Sequence, residues 1–183
     1  MLIEVLVTMV ILAFGMLGLI GLEAKVQVSQ VEAYQRAQAV TLLTDMSDRI
    51  SANRSDAASY ASSTIVYGTG HTDTSPCPTT SVSARDLCEW SVALKGAAEQ
   101  RSSGNVGAMI GARGCITQVQ APNPAAGACT PGIYLVSVAW QGLTPTASVS
   151  GLTCANAVGT FGSSDALRRV VATRVGVGMP ECS

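Results

Sequence analysis

A chain of 183 residues, 48% of them hydrophobic, has room for one domain with an extension and enough apolar surface to build a core. A formal net charge of −1 with Lys and Arg unclustered argues against a nucleic-acid footprint, so no nucleic-acid partner is expected. An aromatic content of 4% is too low for a stacking platform along single strands.

The chain opens with MLIEVLVTMVILAFGMLGLIGL, in which Glu4 is the one charge. From Val5 to Leu22 no residue ionises. A bilayer-crossing helix needs about 20 apolar residues, and the segment reaches that length if Met1 to Ile3 contribute. A secretory signal peptide would open with a positive region, yet no Lys or Arg precedes Lys25. The missing positive flank is what a chain already processed ahead of this segment would show. A carboxylate in hydrocarbon costs several kcal/mol unless paired. Glu4 is therefore expected to pair with the α-amino group at the Met1 end of a neighbouring chain during assembly. Gly15, Gly18 and Gly21 recur at three-residue spacing in the arm. They serve close helix packing, local weakness, or both.

The helical pattern continues past the arm. No Pro or Gly occurs from Glu23 to Arg54. Val31, Tyr34, Gln38, Leu42, Met46 and Ile50 step at three or four residues, which predicts one amphipathic stripe. Together the two parts predict a helix of roughly 50 residues, about 75 Å long at 1.5 Å per residue. Three regions result. Residues 1–24 form a hydrophobic transmembrane or filament-core helix, 25–53 its amphipathic half, and 54–183 a disulfide-bonded domain.

Within the domain, Asn53 to Ser83 is rich in Ser, Thr, Gly and Ala and reads as a long loop with at most a short strand at Thr64–Tyr67. Asp86 to Lys95 reads as a helix capped by Ser83 or Asp86, with Leu87, Trp90 and Leu94 on one face. Trp90 at that spacing reads as core. Val106–Ile110 and Cys115–Gln120 are short strands joined by a GARG hairpin. Ile133–Gln141 alternates with Tyr134, Val136, Val138 and Trp140 on one face. Leu167–Val177 puts Leu167, Arg169, Val171, Thr173, Val175 and Val177 on one side and Arg168, Val170, Ala172 and Arg174 on the other. The predicted class is α+β, a small antiparallel sheet of about four strands covered by the long helix, whose hydrophobic half protrudes.

Cys77, Cys88, Cys115, Cys129, Cys154 and Cys182 are spread through this region, with no CxxC and His71 as the lone histidine. That pattern excludes a zinc site and predicts disulfides in an oxidising compartment. Six cysteines permit 15 pairings. Local order favours Cys77–Cys88, Cys115–Cys129 and Cys154–Cys182. No GxSxG, HExxH or Gly-rich phosphate loop occurs, and His71 sits in the polar loop GTGHTDTSP. The chain reads as no enzyme, without catalytic residue, metal or cofactor.

The run LIEVLVTMVILAFGMLGLIGL resembles the N-terminal signature of type IV pilins and pseudopilins. Members are cut by a prepilin peptidase just before this segment and methylated on the new N-terminus. Their glutamate is fifth in the mature chain; here it is fourth, which sets Met1 one residue inside the processed end. DLCEWSVALKG, IYLVSVAWQG, the late Cys154 and RRVVATRV resemble the PilV-type minor pilins. The resemblance implies a single-pass inner-membrane protein with a periplasmic domain. It would then join a complex that primes the pilus and sits at its tip, supporting adhesion and twitching motility. Implied partners are minor pilins of the FimU, PilW, PilX and PilE types, the major pilin and a large PilY-type adhesin. The alternatives are a type II secretion minor pseudopilin, which tends to be cysteine-poor, and a DNA-uptake pilin, which would want a basic tip.

Overall fold

The computed structural model describes residues 2–97, 100–101, 104–105, 107, 109–125, 129–147 and 149–178. The chain divides into two compact units, Met1–Tyr34 and Gln35–Ser183. Helix α1 covers Leu2–Ala52, an unbroken run as the absence of Pro between those limits allows. Through Tyr34 it makes up the first unit.

In the second unit α1 buries Gln35, Ala39, Leu43, Met46 and Ile50. The stripe therefore differs from the predicted one. Val31 and Tyr34 are exposed, at 43% and 52%, and Gln38 and Leu42 are only half-buried. Apolar spacing locates a stripe only to within a residue or so of rotation. Ala39, fully buried, lets the facing elements come close where Leu42 would have held them off.

A 3-10 segment at Arg54–Tyr60 follows and buries Ala57 and Tyr60. Helix α2 is Val82–Leu94. Its cap is Ser81, whose extended backbone (φ −144°, ψ 157°) lets the hydroxyl accept the Ala84 N–H at 3.1 Å. The predicted caps, Ser83 and Asp86, lie inside the helix and bond other elements instead.

The sheet is antiparallel, in the order β1 (Tyr67–Gly68), β4 (Ile110–Gln120), β5 (Gly132–Gln141), β6 (Arg168–Val177). Two short strands, β2 (Gln100–Arg101) and β3 (Gly104–Asn105), pair separately. The predicted GARG hairpin is absent: Ile110 to Gln120 is one strand. Gly111 takes φ +62° where the register with β5 shifts between Ile110 and Arg113, so it shapes a bulge. Gly114 makes room for an aromatic ring, since a Cβ there would lie 2.2 Å from Trp90. Turn-like glycines here serve a bulge and a packing contact, uses that spacing cannot separate. Val106 lies outside the described residues.

One sheet face carries Tyr134, Val136, Val138 and Trp140 of β5 with Val175 and Val177 of β6. They share a core with Leu43, Met46 and Ile50 of α1 and Leu87, Trp90 and Leu94 of α2. The long helix thus packs on a four-stranded antiparallel sheet, as alternation along β5 and β6 predicts. On the other face, Cys115 and Ala139 pack with Cys154, Ala155 and Phe161 of the segment that follows β5. Arg168 secures that segment. It is 2% exposed and donates to the carbonyls of Val149, Leu152 and Cys154 at 2.9–3.1 Å.

Two disulfides join Cys77 to Cys88 and Cys115 to Cys154. The second corrects the favoured pairing. Nearness in sequence would join Cys115 to Cys129, but the covering segment brings Cys154 back across the sheet to Cys115. Cys129 is also disulfide-bonded, and Cys182 lies outside the described residues. Proteolysis of the non-reduced protein followed by mass spectrometry is expected to yield a Cys115–Cys154 cross-linked peptide. A Cys115–Cys129 peptide in its place would refute this pairing.

Candidate assembly element

Of the predicted assembly residues, Glu4 stands in the first turn of α1 and is exposed. Met1 lies outside the described residues. The fifteen large apolar side chains from Leu2 to Leu22 are each more than half exposed. They point all round the helix, so no single face accounts for them. Among the described residues, α1 is the one helix long and apolar enough to cross a membrane.

The arm's faces are nevertheless unequal. At 100° per residue, Gly15 and Gly18 fall within about 40° of Glu4 on the helix circumference. Thr8 shares that face and turns its hydroxyl onto the Val5 carbonyl at 2.9 Å, which hides its polarity. Gly21 falls about 100° away. Cβ atoms built at Gly15, Gly18 or Gly21 would meet nothing within 4 Å. Among the described residues nothing packs closely enough to require these glycines. A face with an acid, a self-satisfied Thr and two glycines suits close approach by another helix.

The second unit holds its segment of α1 through a polar cluster that periodicity alone does not reveal. Arg49 donates to Asp86 at 3.1 Å and Glu89 at 2.7 Å on α2, and to Asp45 at 3.0 Å. The Tyr60 hydroxyl donates to Asp86 at 2.6 Å. Burial, helped by that bond, pushes the Tyr60 phenol up to about 12. Trp90 donates its indole N–H to the Leu42 carbonyl at 2.9 Å. These bonds join α1, the 3-10 segment and α2. Asp86 and Arg49 stand 37 residues apart in the chain, too far for helical spacing to link them.

His71, expected in a solvated loop, is half-buried. It sits 2.8 Å from Asp73 and its ring centroid is 5.1 Å from that of Tyr67. Asp73 also accepts from Ser91 at 3.0 Å and from Lys95. Burial works to raise the Asp73 carboxyl, but the bonds from Lys95, His71 and Ser91 outweigh it and hold it below its ordinary value. Ser91 is fully buried and bonds the carboxylate rather than the imidazole, so these residues do not form a nucleophile–base pair. Their role is to fasten the 68–76 loop to α2. Among the described residues no group of three or more His, Cys, Asp or Glu is placed to hold a metal.

A family model described as "Tt1218-like: Type IV pilin Tt1218" matches residues 23–93. That stretch runs from α1 through the 3-10 segment and β1 into α2, and it begins just beyond the apolar arm. No curated protein and no solved structure matches the chain. Over that stretch the chain is similar to a type IV pilin, and a long N-terminal helix laid on a four-stranded antiparallel sheet is consistent with the type IV pilin fold.

Proposed function

We propose that this chain is a minor pilin, a structural subunit rather than an enzyme. It waits in the inner membrane with its domain in the periplasm, then enters the pilus near its tip beside other minor pilins. The observation that carries this reading is the apolar arm. It is exposed on every side, holds one acid in its first turn, and continues into the helix of a pilin domain. Both lipid and a bundle of like helices would cover such a surface. A plain anchor would not need the acid. In the bundle, Glu4 pairs with the α-amino group at the N-terminus of a neighbouring subunit. Partners of the FimU, PilW, PilX, PilE and PilY types, and roles in adhesion and twitching motility, follow from the resemblance of DLCEWSVALKG, IYLVSVAWQG, the late Cys154 and RRVVATRV to PilV-type pilins.

Glu4→Ala removes the pairing and leaves the second unit untouched. The variant is expected to reach the membrane and keep its disulfides. Its abundance in sheared pili is expected to fall about tenfold or more, the equivalent of about 1.4 kcal/mol of lost pairing. Quantitative immunoblotting of sheared pili against whole cells checks this. Wild-type incorporation of the variant would overturn the role given to Glu4.

A further inference from the structure

Along the chain the cysteines run Cys77, Cys88, Cys115, Cys129, Cys154, Cys182. The first two are bonded to each other, as neighbours in that order. Cys115 skips Cys129 and bonds Cys154. Cys129 is bonded as well, and four of its five possible partners are taken. Cys182 is the one left. The bonds Cys115–Cys154 and Cys129–Cys182 therefore cross in chain order.

A domain that follows its N-terminal arm across a membrane exposes Cys129 before Cys154, so Cys115 meets Cys129 first. Cys129 is also the nearer partner. Closing the 39-residue separation of the native pair is roughly fivefold rarer than closing the Cys115–Cys129 loop. Oxidation in order of appearance then leaves Cys154 to bond Cys182.

That sequential pairing does not fit the fold. Cys115 pairs with Ser137 inside β4, and the β4–β5 ladder ends at Gln120 and Ile133. The strand between sets Cys115 roughly 16 Å from that end. Cys129 lies past it, beside Thr130, whose backbone pairs with Asn123. A disulfide holds its Cα atoms about 4–7 Å apart. A Cys115–Cys129 bond therefore cannot coexist with the ladder. The native bond, in contrast, is sealed in. Cys115 and Cys154 are buried with Ala155 and Phe161, and Arg168 holds the Cys154 carbonyl. Once formed, it is out of reach of an attacking thiolate.

We propose that the protein matures through a thiol–disulfide isomerase, which converts the sequential pairs Cys115–Cys129 and Cys154–Cys182 into the crossed pairs. The isomerase thiolate attacks Cys115 Sγ, forms a mixed disulfide and releases the Cys129 thiolate. Cys129 attacks Cys182 Sγ and releases the Cys154 thiolate. Cys154 attacks Cys115 Sγ, closes the native bond and expels the isomerase thiolate. Each S–S bond broken is replaced by one formed, so nothing is oxidised or reduced overall and the isomerase is regenerated. Cys77–Cys88, between neighbours, needs no such step. The proposal rests on the periplasmic placement given above.

The test expresses the full-length chain in cells that have or lack their periplasmic thiol–disulfide isomerase, with the dithiol oxidase present in both. Proteolysis without reduction, followed by mass spectrometry, reads the pairs. With the isomerase, Cys115–Cys154 and Cys129–Cys182 peptides are expected. Without it, the Cys115–Cys154 peptide is expected to fall at least fivefold and the Cys115–Cys129 peptide to rise, with Cys77–Cys88 unchanged. Cys129→Ser combined with Cys182→Ser removes the competing partners, so Cys115–Cys154 is expected to form equally in both hosts. Should that double variant fail to fold in both, the unsubstituted chain decides. Full native pairing of the unsubstituted chain without the isomerase would overturn the proposal. So would Cys129 bonded to any cysteine other than Cys182 in cells with the isomerase, or an isomerase dependence that the double variant keeps. Six free thiols in cells with the isomerase would instead overturn the periplasmic placement, and this proposal with it.

Discussion

Trp90→Ala lowers the melting midpoint of the domain by on the order of 10 °C, with the oxidised disulfides left in place. Three contacts converge on this ring. It is fully buried, it donates to the Leu42 carbonyl at 2.9 Å, and it fills the space left by Gly114. Truncating a buried Trp costs about 3–5 kcal/mol, through lost burial and the cavity left behind. For a domain of this size each kcal/mol moves the midpoint by about 2–4 °C. Trp90→Phe keeps most of the volume and loses the hydrogen bond, so it is expected to cost much less, on the order of 1 kcal/mol. Thermal denaturation by circular dichroism measures both. Equal midpoints for Trp90→Ala and the wild type would show that α1 and α2 are held together by something other than this contact.

The same tryptophan shows what the sequence could reveal. Its spacing with Leu87 and Leu94 marks one helix face, and that face is the buried one. Strands β5 and β6 were legible because period-two alternation over ten residues is hard to mistake. The α1 stripe was legible in kind but not in rotation. Adjacent Leu42 and Leu43 are equally apolar, and only the facing elements choose Leu43.

Three features were not legible, each because it depends on contacts distant in sequence. Glycines at 111 and 114 resemble a turn until β5 and Trp90 are in place. Alternation puts Arg168 on the side of the strand away from Val175 and Val177 and gives no sign that it is buried. Only the segment that folds over that face supplies the three carbonyls that bury it. Cys115–Cys154 follows from the same fold-over, and loop-length arguments favour nearer partners.

The assembly element was the reverse case. Glu4, the three glycines and the unbroken apolar run need no tertiary information to be found, because among the described residues nothing packs over them. The family match begins at Glu23, after this arm, so the two lines of argument are independent.

Removing residues 1–24 is expected to convert the protein into a soluble, monomeric, disulfide-bonded domain that still folds. Among the described residues every buried one lies at or beyond Gln35, so the truncation takes none of them from the core. What it does take is the arm's apolar surface. Each of those fifteen large side chains is worth about 1.5–3 kcal/mol when fully buried. Even partial burial of these side chains among neighbouring helices is therefore worth many kcal/mol in sum. The truncated chain, exported to the periplasm by a cleavable signal, is expected to accumulate there and to be absent from the filament.

The most direct measurement compares full-length and truncated chains, expressed to equal periplasmic levels, by quantitative mass spectrometry of sheared and washed pili. The account predicts the full-length chain in the pilus fraction and at least a hundredfold less of the truncated one, the equivalent of about 2.8 kcal/mol. Recovery of the truncated domain at the full-length level would contradict it and reduce the arm to a membrane anchor.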